Sequence, residues 1–197
     1  MITQLSKNLS SFFVVHGVIH EEDRDVYSYS LEILLSTLQS LIAIAILAVI
    51  SRTVLETTLF LVGFVPLRLI AGGYHAKSHF RCFLILMFVY AVFLVILFFI
   101  PDGYVVLGSI LSAILSVLLV FFFAPSEDSN KPVSSEERVR FKKKSRITIV
   151  GYATLIGLVV TFTQNSIYTL SVAIGTITVG LSLIANKIKN RKQNQDE

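Results

Sequence analysis

One short segment of the sequence, RLIAGGYHAKSHFRCF at residues 68–83, contains residue types that could do covalent chemistry. Cys82 is the only cysteine of the chain, and His75 precedes it by seven residues. A cysteine becomes a strong nucleophile when a neighbouring histidine takes its proton, and such a pair is the minimum apparatus for acyl transfer. The spacing alone is a weak signal. On one continuous helix the two side chains would lie about 10.5 Å apart along the axis, too far for a hydrogen bond.

The residues between the pair predict a turn followed by the start of a helix. Gly72 and Gly73 permit backbone angles that other residues resist, so the chain can turn there. Ser78 is a suitable N-cap, and a helix that starts after it has Cys82 in its first turn. The helix dipole favours a negative charge at that position, and basic neighbours in the segment act in the same direction. We therefore expect His75 to lie in the turn and to fold back toward the start of the helix.

Two other hypotheses use the same residues. His75, His79 and Cys82 follow an H-x3-H-x2-C pattern that could supply three zinc ligands, although zinc needs a fourth ligand or a water. In a non-enzymatic transporter or permease subunit, Glu32, Arg68 and His75 could instead line a path through the membrane. Cys82 discriminates the hypotheses, because a transporter should tolerate Ser or Ala at this position and a peptidase should not.

The composition predicts that these residues are positioned by membrane helices. The chain has 197 residues, of which 54% are hydrophobic and only 15% charged, whereas soluble domains have about 25% charged residues. We predict an all-α, polytopic membrane protein that forms a single membrane domain over residues 1–197. A span needs about 20 apolar residues. The six predicted spans lie near residues 28–50, 53–70, 82–100, 104–124, 147–163 and 166–185. In a five-span alternative, residues 53–70 are re-entrant.

The first 25 residues predict an amphipathic interfacial segment, because the apolar side chains of residues 1–20 share one helical face. The distribution of basic residues predicts that both termini are cytoplasmic. In that orientation 16 of the 17 basic residues lie inside and only Arg52 lies outside. The orientation also makes the loop at 125–146 cytoplasmic. Its Lys142, Lys143 and Lys144 could attract an acidic substrate tail as well as anionic lipid.

Two motifs in register resemble the accessory gene regulator protein B (AgrB) family of membrane endopeptidases in Gram-positive bacteria. The first is the segment from Arg68 through GGYHA to Cys82, and the second is APSEDSNKP at 124–132 followed by the basic FKKKSR. The resemblance covers nearly the whole chain. It implies a cysteine peptidase in the bacterial cell membrane, with its active site on the cytoplasmic side.

The resemblance also implies the roles of individual residues. Cys82 matches the family's nucleophile and His75 its general base, and Arg68 and Gly73 match positions on which activity depends. The implied partners are an AgrD-like quorum-sensing propeptide and the lipid bilayer. The propeptide loses its C-terminal tail through an acyl-enzyme thioester and closes into a thiolactone or lactone ring. We expect no cofactor, no metal and no nucleic acid, and the sequence allows a homodimer.

One role has no clear match in the sequence, that of a residue that orients the histidine. Glu32 is our candidate, because it lies near the cytoplasmic end of the first predicted span and an acid within a membrane segment usually has a function. The alternative role for Glu32 is a structural salt bridge to Arg68.

Overall fold

The computed structural model describes residues 2–74, 78–126, 135–163 and 166–196. This part of the chain is almost entirely helical, and a short 3₁₀ turn at Glu21–Asp23 precedes the second helix. The helices are α1 (Ile2–Val15), α2 (Arg24–Ser51), α3 (Val54–Ala71), α4 (His79–Phe99), α5 (Asp102–Phe123), α6 (Ser135–Thr163) and α7 (Ile167–Asp196).

The helices α2 to α7 each contain an apolar stretch long enough to cross a membrane, which confirms the predicted all-α fold with six spanning helices. Residues 54–70 of the segment that is re-entrant in the five-span alternative belong to one uninterrupted helix, α3, although it contains Pro66. The last two helices are longer than the predicted spans. α6 already begins at Ser135, so residues 135–146 of the predicted basic loop are helical. α7 continues through the basic tail to Asp196.

Contacts between residues divide the chain into two compact units. The first comprises Met1–Ser51 and Ala76–Phe88, and the second Arg52–His75 and Val89–Glu197. The prediction of a single membrane domain stays a prediction. In the first unit, α1 packs against α2 through small side chains, because Ser6 and Ser10 are fully buried while Leu5 and Phe12 remain about half exposed. Part of the apolar face of α1 is therefore exposed, and the interfacial position of this segment stays a prediction.

In the second unit, α7 is the central helix, packed against α3 and α5. Glycines allow the backbones of α3 and α7 to approach closely. A methyl group on Gly175 would overlap the Phe60 carbonyl, and one on Gly63 would lie 2.5 Å from the Val172 carbonyl oxygen. Such small-residue contacts are typical of helix packing in membranes. The close contact fixes the middle of α3 against α7, and the same two helices continue to the turn that follows α3.

Candidate functional site

The start of α4 places the cysteine as the sequence predicts. The helix begins at His79, and the Arg81 N–H donates a hydrogen bond of 3.3 Å to the Ser78 side-chain oxygen. The Cys82 N–H donates to the Ser78 carbonyl at 3.1 Å. Ser78 is therefore the N-cap, which confirms that prediction. The Cys82 side chain is exposed and can be reached by a reactant.

The other half of the predicted dyad lies outside the described residues. His75, Ala76 and Lys77 are not among them. For His79, the structure describes the backbone but not the side chain. The pairing of His75 with Cys82, and the alternative zinc site that also uses His79, both stay predictions. The described residues on either side are Tyr74 and Ser78.

Gly72 and Gly73 form the predicted turn, which we call the diglycine turn (residues 71–74). Both have positive φ angles, +76° at Gly72 and +137° at Gly73, where other residues are strained. The Gly72 N–H closes α3 by donating to the Arg68 carbonyl at 3.0 Å. On the other side, the Ser126 N–H donates to the Ala71 carbonyl at 2.9 Å. The segment after α5 therefore pairs with the turn.

Arg68 holds the diglycine turn from within. Its Nη1 donates to the Gly72 carbonyl at 3.2 Å and to the Ser182 Oγ at 2.6 Å, and its Nη2 donates to the Tyr74 carbonyl. The Tyr74 N–H in turn donates to the Ser182 carbonyl at 3.0 Å. Both backbone polar groups of Tyr74 are thus fixed immediately before His75. Arg68 acts here as a positioning residue, since the rigid fork of a guanidinium can reach several acceptors at once.

The position of Arg68 explains why a glycine stands at 73. A Cβ atom on Gly73 would overlap Arg68 Nη1 and Ser182 Oγ. Any other residue at this position would displace the guanidinium from its acceptors and would also have to adopt a strained φ angle. Arg68 and Gly73 are therefore two parts of one arrangement.

The sequence did not predict the role of three polar residues on one face of the second half of α7. Ser182 contacts the turn, the Asn186 Nδ2 donates to the Ser126 Oγ at 2.5 Å, and the Lys189 Nζ lies 5.5 Å from the centre of the Tyr74 ring. The signal was present in the sequence. These three residues have i, i+4, i+7 spacing and share one helical face.

The two remaining groups of predicted residues lie on other helices. The Thr3 hydroxyl donates to Glu32 Oε1 at 2.5 Å, so Glu32 joins α1 to α2. That Glu32 orients His75, or instead forms a salt bridge to Arg68, stays a prediction. Lys142, Lys143 and Lys144 are exposed on the first part of α6, before its apolar stretch. A helix rather than an irregular loop therefore displays their charges.

Comparisons with known proteins identify one matching family model and several relatives. The family model described as Accessory gene regulator B matches residues 1–185. An AgrB-like protein of Clostridium perfringens strain SM101 is 30% identical over 155 residues, which cover 76% of this chain and 72% of that protein. An AgrB-like protein of Clostridium beijerinckii is 28% identical, covering 99% of this chain and 96% of the relative. Protein FsrB of Enterococcus faecalis is 32% identical, over 61% of this chain and 50% of FsrB. No solved structure matches the chain.

Proposed function

Because this chain belongs to the Accessory gene regulator B family, we propose that it is a membrane cysteine endopeptidase that removes the C-terminal tail of a small quorum-sensing propeptide. Membership of the family gives the chain a role in quorum sensing, a multi-pass membrane setting and an AgrD-like propeptide as partner. The proposal adds the reaction and the residues that perform it.

The observation that carries the proposal is the Ser78-capped start of α4, which presents the exposed Cys82 thiol in the first turn of a helix. Unpaired N–H groups at a helix start favour a negative charge nearby. Such a helix start also stabilises an oxyanion that forms beside the thiol during the reaction. The fixed backbone of Tyr74 supports the same proposal, because it restricts where the adjacent His75 can lie.

In the first step, His75 takes the proton from the Cys82 Sγ and the thiolate attacks the carbonyl carbon of the scissile peptide bond. When the tetrahedral intermediate collapses, the C–N bond breaks and the imidazolium donates its proton to the leaving nitrogen. The tail departs as a free amine. The remaining part of the propeptide stays bound to Cys82 as a thioester.

In the second step, a cysteine thiol or serine hydroxyl within the bound peptide attacks the thioester carbonyl. The nucleophile loses its proton to His75, the bond from the carbonyl carbon to Cys82 Sγ breaks, and the Cys82 thiol is restored. The product is a thiolactone or lactone ring. Ring closure replaces one thioester bond by another thioester or by an ester, so this step needs no ATP.

A propeptide that cannot close its ring tests the proposal directly. The full-length protein in liposomes is mixed with an AgrD-like propeptide whose internal nucleophile is replaced by Ala, and the reaction is stopped with acid. Mass spectrometry of the intact protein should detect an adduct with the mass of the propeptide minus its tail. After proteolysis, the adduct should be found on the peptide that contains Cys82. Hydroxylamine should remove this adduct. Release of the tail without an adduct, in a single turnover, would contradict the covalent mechanism.

We also propose that both termini and the site face the cytoplasm, on the basis of the basic residues that gather at one side of the spans. The prediction concerns two exposed positions, Asp102 at the start of α5 and Glu136 at the start of α6. In a Cys82→Ala background, Asp102→Cys should react with an impermeant maleimide in intact cells. Glu136→Cys should react only after permeabilisation. External labelling at position 136 would overturn the orientation.

The exposed Lys142, Lys143 and Lys144 are proposed to attract an acidic tail of the propeptide. Replacement of all three by Glu should therefore raise the apparent KM several-fold while kcat changes little, and high salt should reduce the difference. Kinetics in liposomes with the protein inserted in one known orientation measures both constants. The matched control is the triple change to Arg, which keeps the charges and should keep the wild-type KM. An equal KM for the Glu and wild-type proteins would leave these lysines only a role in membrane anchoring.

A further inference from the structure

A basic cavity lies at the ends of α5 and α7, on the side of α7 next to the polar face that holds the diglycine turn. Its volume is about 380 Å³, which is within the range of about 300–1,000 Å³ for small-molecule sites. All charged side chains among its described lining residues are basic. The basic lining residues are Arg138, Lys187 and Arg191. The other lining residues are Phe122, Phe123, Pro125, Ser126, Leu183 and Asn190, so the wall combines apolar and polar groups.

A second cavity, of about 310 Å³, shares three of these lining residues, Phe123, Lys187 and Arg191. Its other lining residues are Ile184 and Ile188, so its wall is mainly apolar. The Lys187 Nζ lies 4.6 Å from the centre of the Phe123 ring, a cation–π contact that holds the ammonium group where the two cavities meet. An apolar groove therefore continues from a basic cavity.

The position of the two cavities along the helices indicates the height of the membrane surface. Phe123 is the last residue of α5, at the end of its apolar stretch. On α7, Leu183 and Ile184 lie within the apolar part, while Lys187 and Arg191 begin the basic tail. A ligand that spans both cavities would have its charged group at the membrane surface and its apolar part beside the hydrocarbon.

We propose that these cavities together bind one anionic phospholipid. The phosphate group would lie between Lys187 and Arg191, with Arg138 on the adjoining wall, and the beginning of an acyl chain would lie against Ile184 and Ile188. Basic pockets between helix ends at a membrane surface bind acidic headgroups in this manner. The guanidinium groups add paired hydrogen bonds to the phosphate oxygens. The basic side chains should attract a zwitterionic lipid less strongly, because its own cation neutralises the charge of its phosphate.

The lipid would also stabilise the neighbouring turn. Ser126 lines the basic cavity and at the same time pairs with Ala71 and accepts from Asn186. Occupation of the cavity would therefore restrain the segment after α5, against which the diglycine turn is held. This coupling to the turn rests on the proposed peptidase function, whereas the binding of the lipid does not.

Native mass spectrometry of the full-length protein in detergent tests the binding, with phosphatidylglycerol and phosphatidylcholine as the two probes. We expect phosphatidylglycerol to bind at lower concentration and with a stoichiometry of one for the tightest site. The double variant Lys187→Gln/Arg191→Gln should weaken its binding roughly tenfold or more, since each basic residue contributes about a further factor of five near an acidic surface. Phosphatidylcholine binding should not change.

Two further variants separate the cavity from general charge effects. Lys187→Arg/Arg191→Lys keeps both charges and should retain phosphatidylglycerol binding, which also shows that changes at these positions are compatible with folding. Lys7→Gln/Arg140→Gln removes two exposed charges from residues that line neither cavity and should leave the tightest site unchanged. An equal loss in this control, or no preference for phosphatidylglycerol over phosphatidylcholine, would overturn the proposal. Displacement of the bound phosphatidylglycerol by an acidic peptide at equal concentration would assign the cavity to a peptide and would also overturn it.

Discussion

Cys82→Ala is expected to lower propeptide cleavage by at least about 10⁴-fold, because loss of the nucleophile leaves only binding and oxyanion stabilisation to accelerate the reaction. The side chain is exposed at the first turn of α4, and the capping bonds at Ser78 involve backbone groups of residues 81 and 82. Removal of the thiol should therefore leave the fold and membrane insertion intact. The released tail, quantified by mass spectrometry in liposomes, measures the loss.

His75→Ala in the same assay is expected to lower kcat by about 10²–10⁴-fold, the usual contribution of a general base. The loss should shrink as the pH rises, because hydroxide can remove the thiol proton when the imidazole is absent. Cys82→Ala should show no such recovery, since it has no thiol at all. This difference in pH dependence separates the base from the nucleophile.

The single cysteine makes the controls for this pair unambiguous. Iodoacetamide can alkylate only Cys82 among cysteines, so inactivation of the wild-type protein reports on this thiol alone. Substrate should protect it. Normal cleavage by Cys82→Ala protein that inserts correctly would rule out the dyad.

The features that the sequence predicts well are those that depend on neighbours along the chain. A serine one residue before a helix start can act as a cap whatever surrounds it, and Ser78 does so. Glycines in a row permit a turn, and Gly72 and Gly73 form one with positive φ angles. Hydropathy also predicts the apolar part of each span, but it is insensitive to polar helix. The basic segment before residue 147 was therefore predicted as loop, although it is rich in residues that favour helices.

The features that the sequence does not predict depend on residues far apart along the chain. Ser182 is 114 residues from Arg68, and no spacing rule links α3 to α7. A serine in an apolar span is more often bonded to its own helix, as the Ser182 hydroxyl also is through the Val179 carbonyl. A role of Arg68 in peptidase activity could be predicted only from the resemblance, whereas its role as the support of the turn requires the fold.

Arg68→Ala is expected to lower kcat/KM for propeptide cleavage by about 10²-fold, the effect of a misplacement of about 1 Å near a reacting group. The change removes the donors to the Gly72 and Tyr74 carbonyls and to Ser182, so the chain before His75 loses its support. Most of the effect should be in kcat, because the change displaces the base, His75, and does not alter a surface that binds the substrate. Arg68→Lys should recover only part of the loss, since an ammonium lacks the fork.

Arg146→Ala is the matched control for stability. Arg146 also donates to a backbone carbonyl of a neighbouring helix, that of Phe121 at 3.0 Å, but it does not contact the diglycine turn. Both alanine variants should lower the unfolding temperature, and Arg68→Ala should lower it more because Arg68 donates three hydrogen bonds and Arg146 one. Only Arg68→Ala should lose about 10²-fold in kcat/KM. Equal losses of activity in both would mean that Arg68 acts through general stability alone.

Gly73→Ala should show that Arg68 and Gly73 form one arrangement. Alone, it is expected to lower kcat/KM about as much as Arg68→Ala, because the added methyl group occupies the place of the Arg68 Nη1 atom. The double variant should then lose far less than the product of the two single effects, since the guanidinium that Gly73→Ala displaces is already absent. A double-mutant cycle on kcat/KM measures this coupling. Ser182→Ala should lower kcat/KM less than either change, because it removes only one of the acceptors of Arg68. Fully multiplicative effects at positions 68 and 73 would mean that the two residues support activity independently.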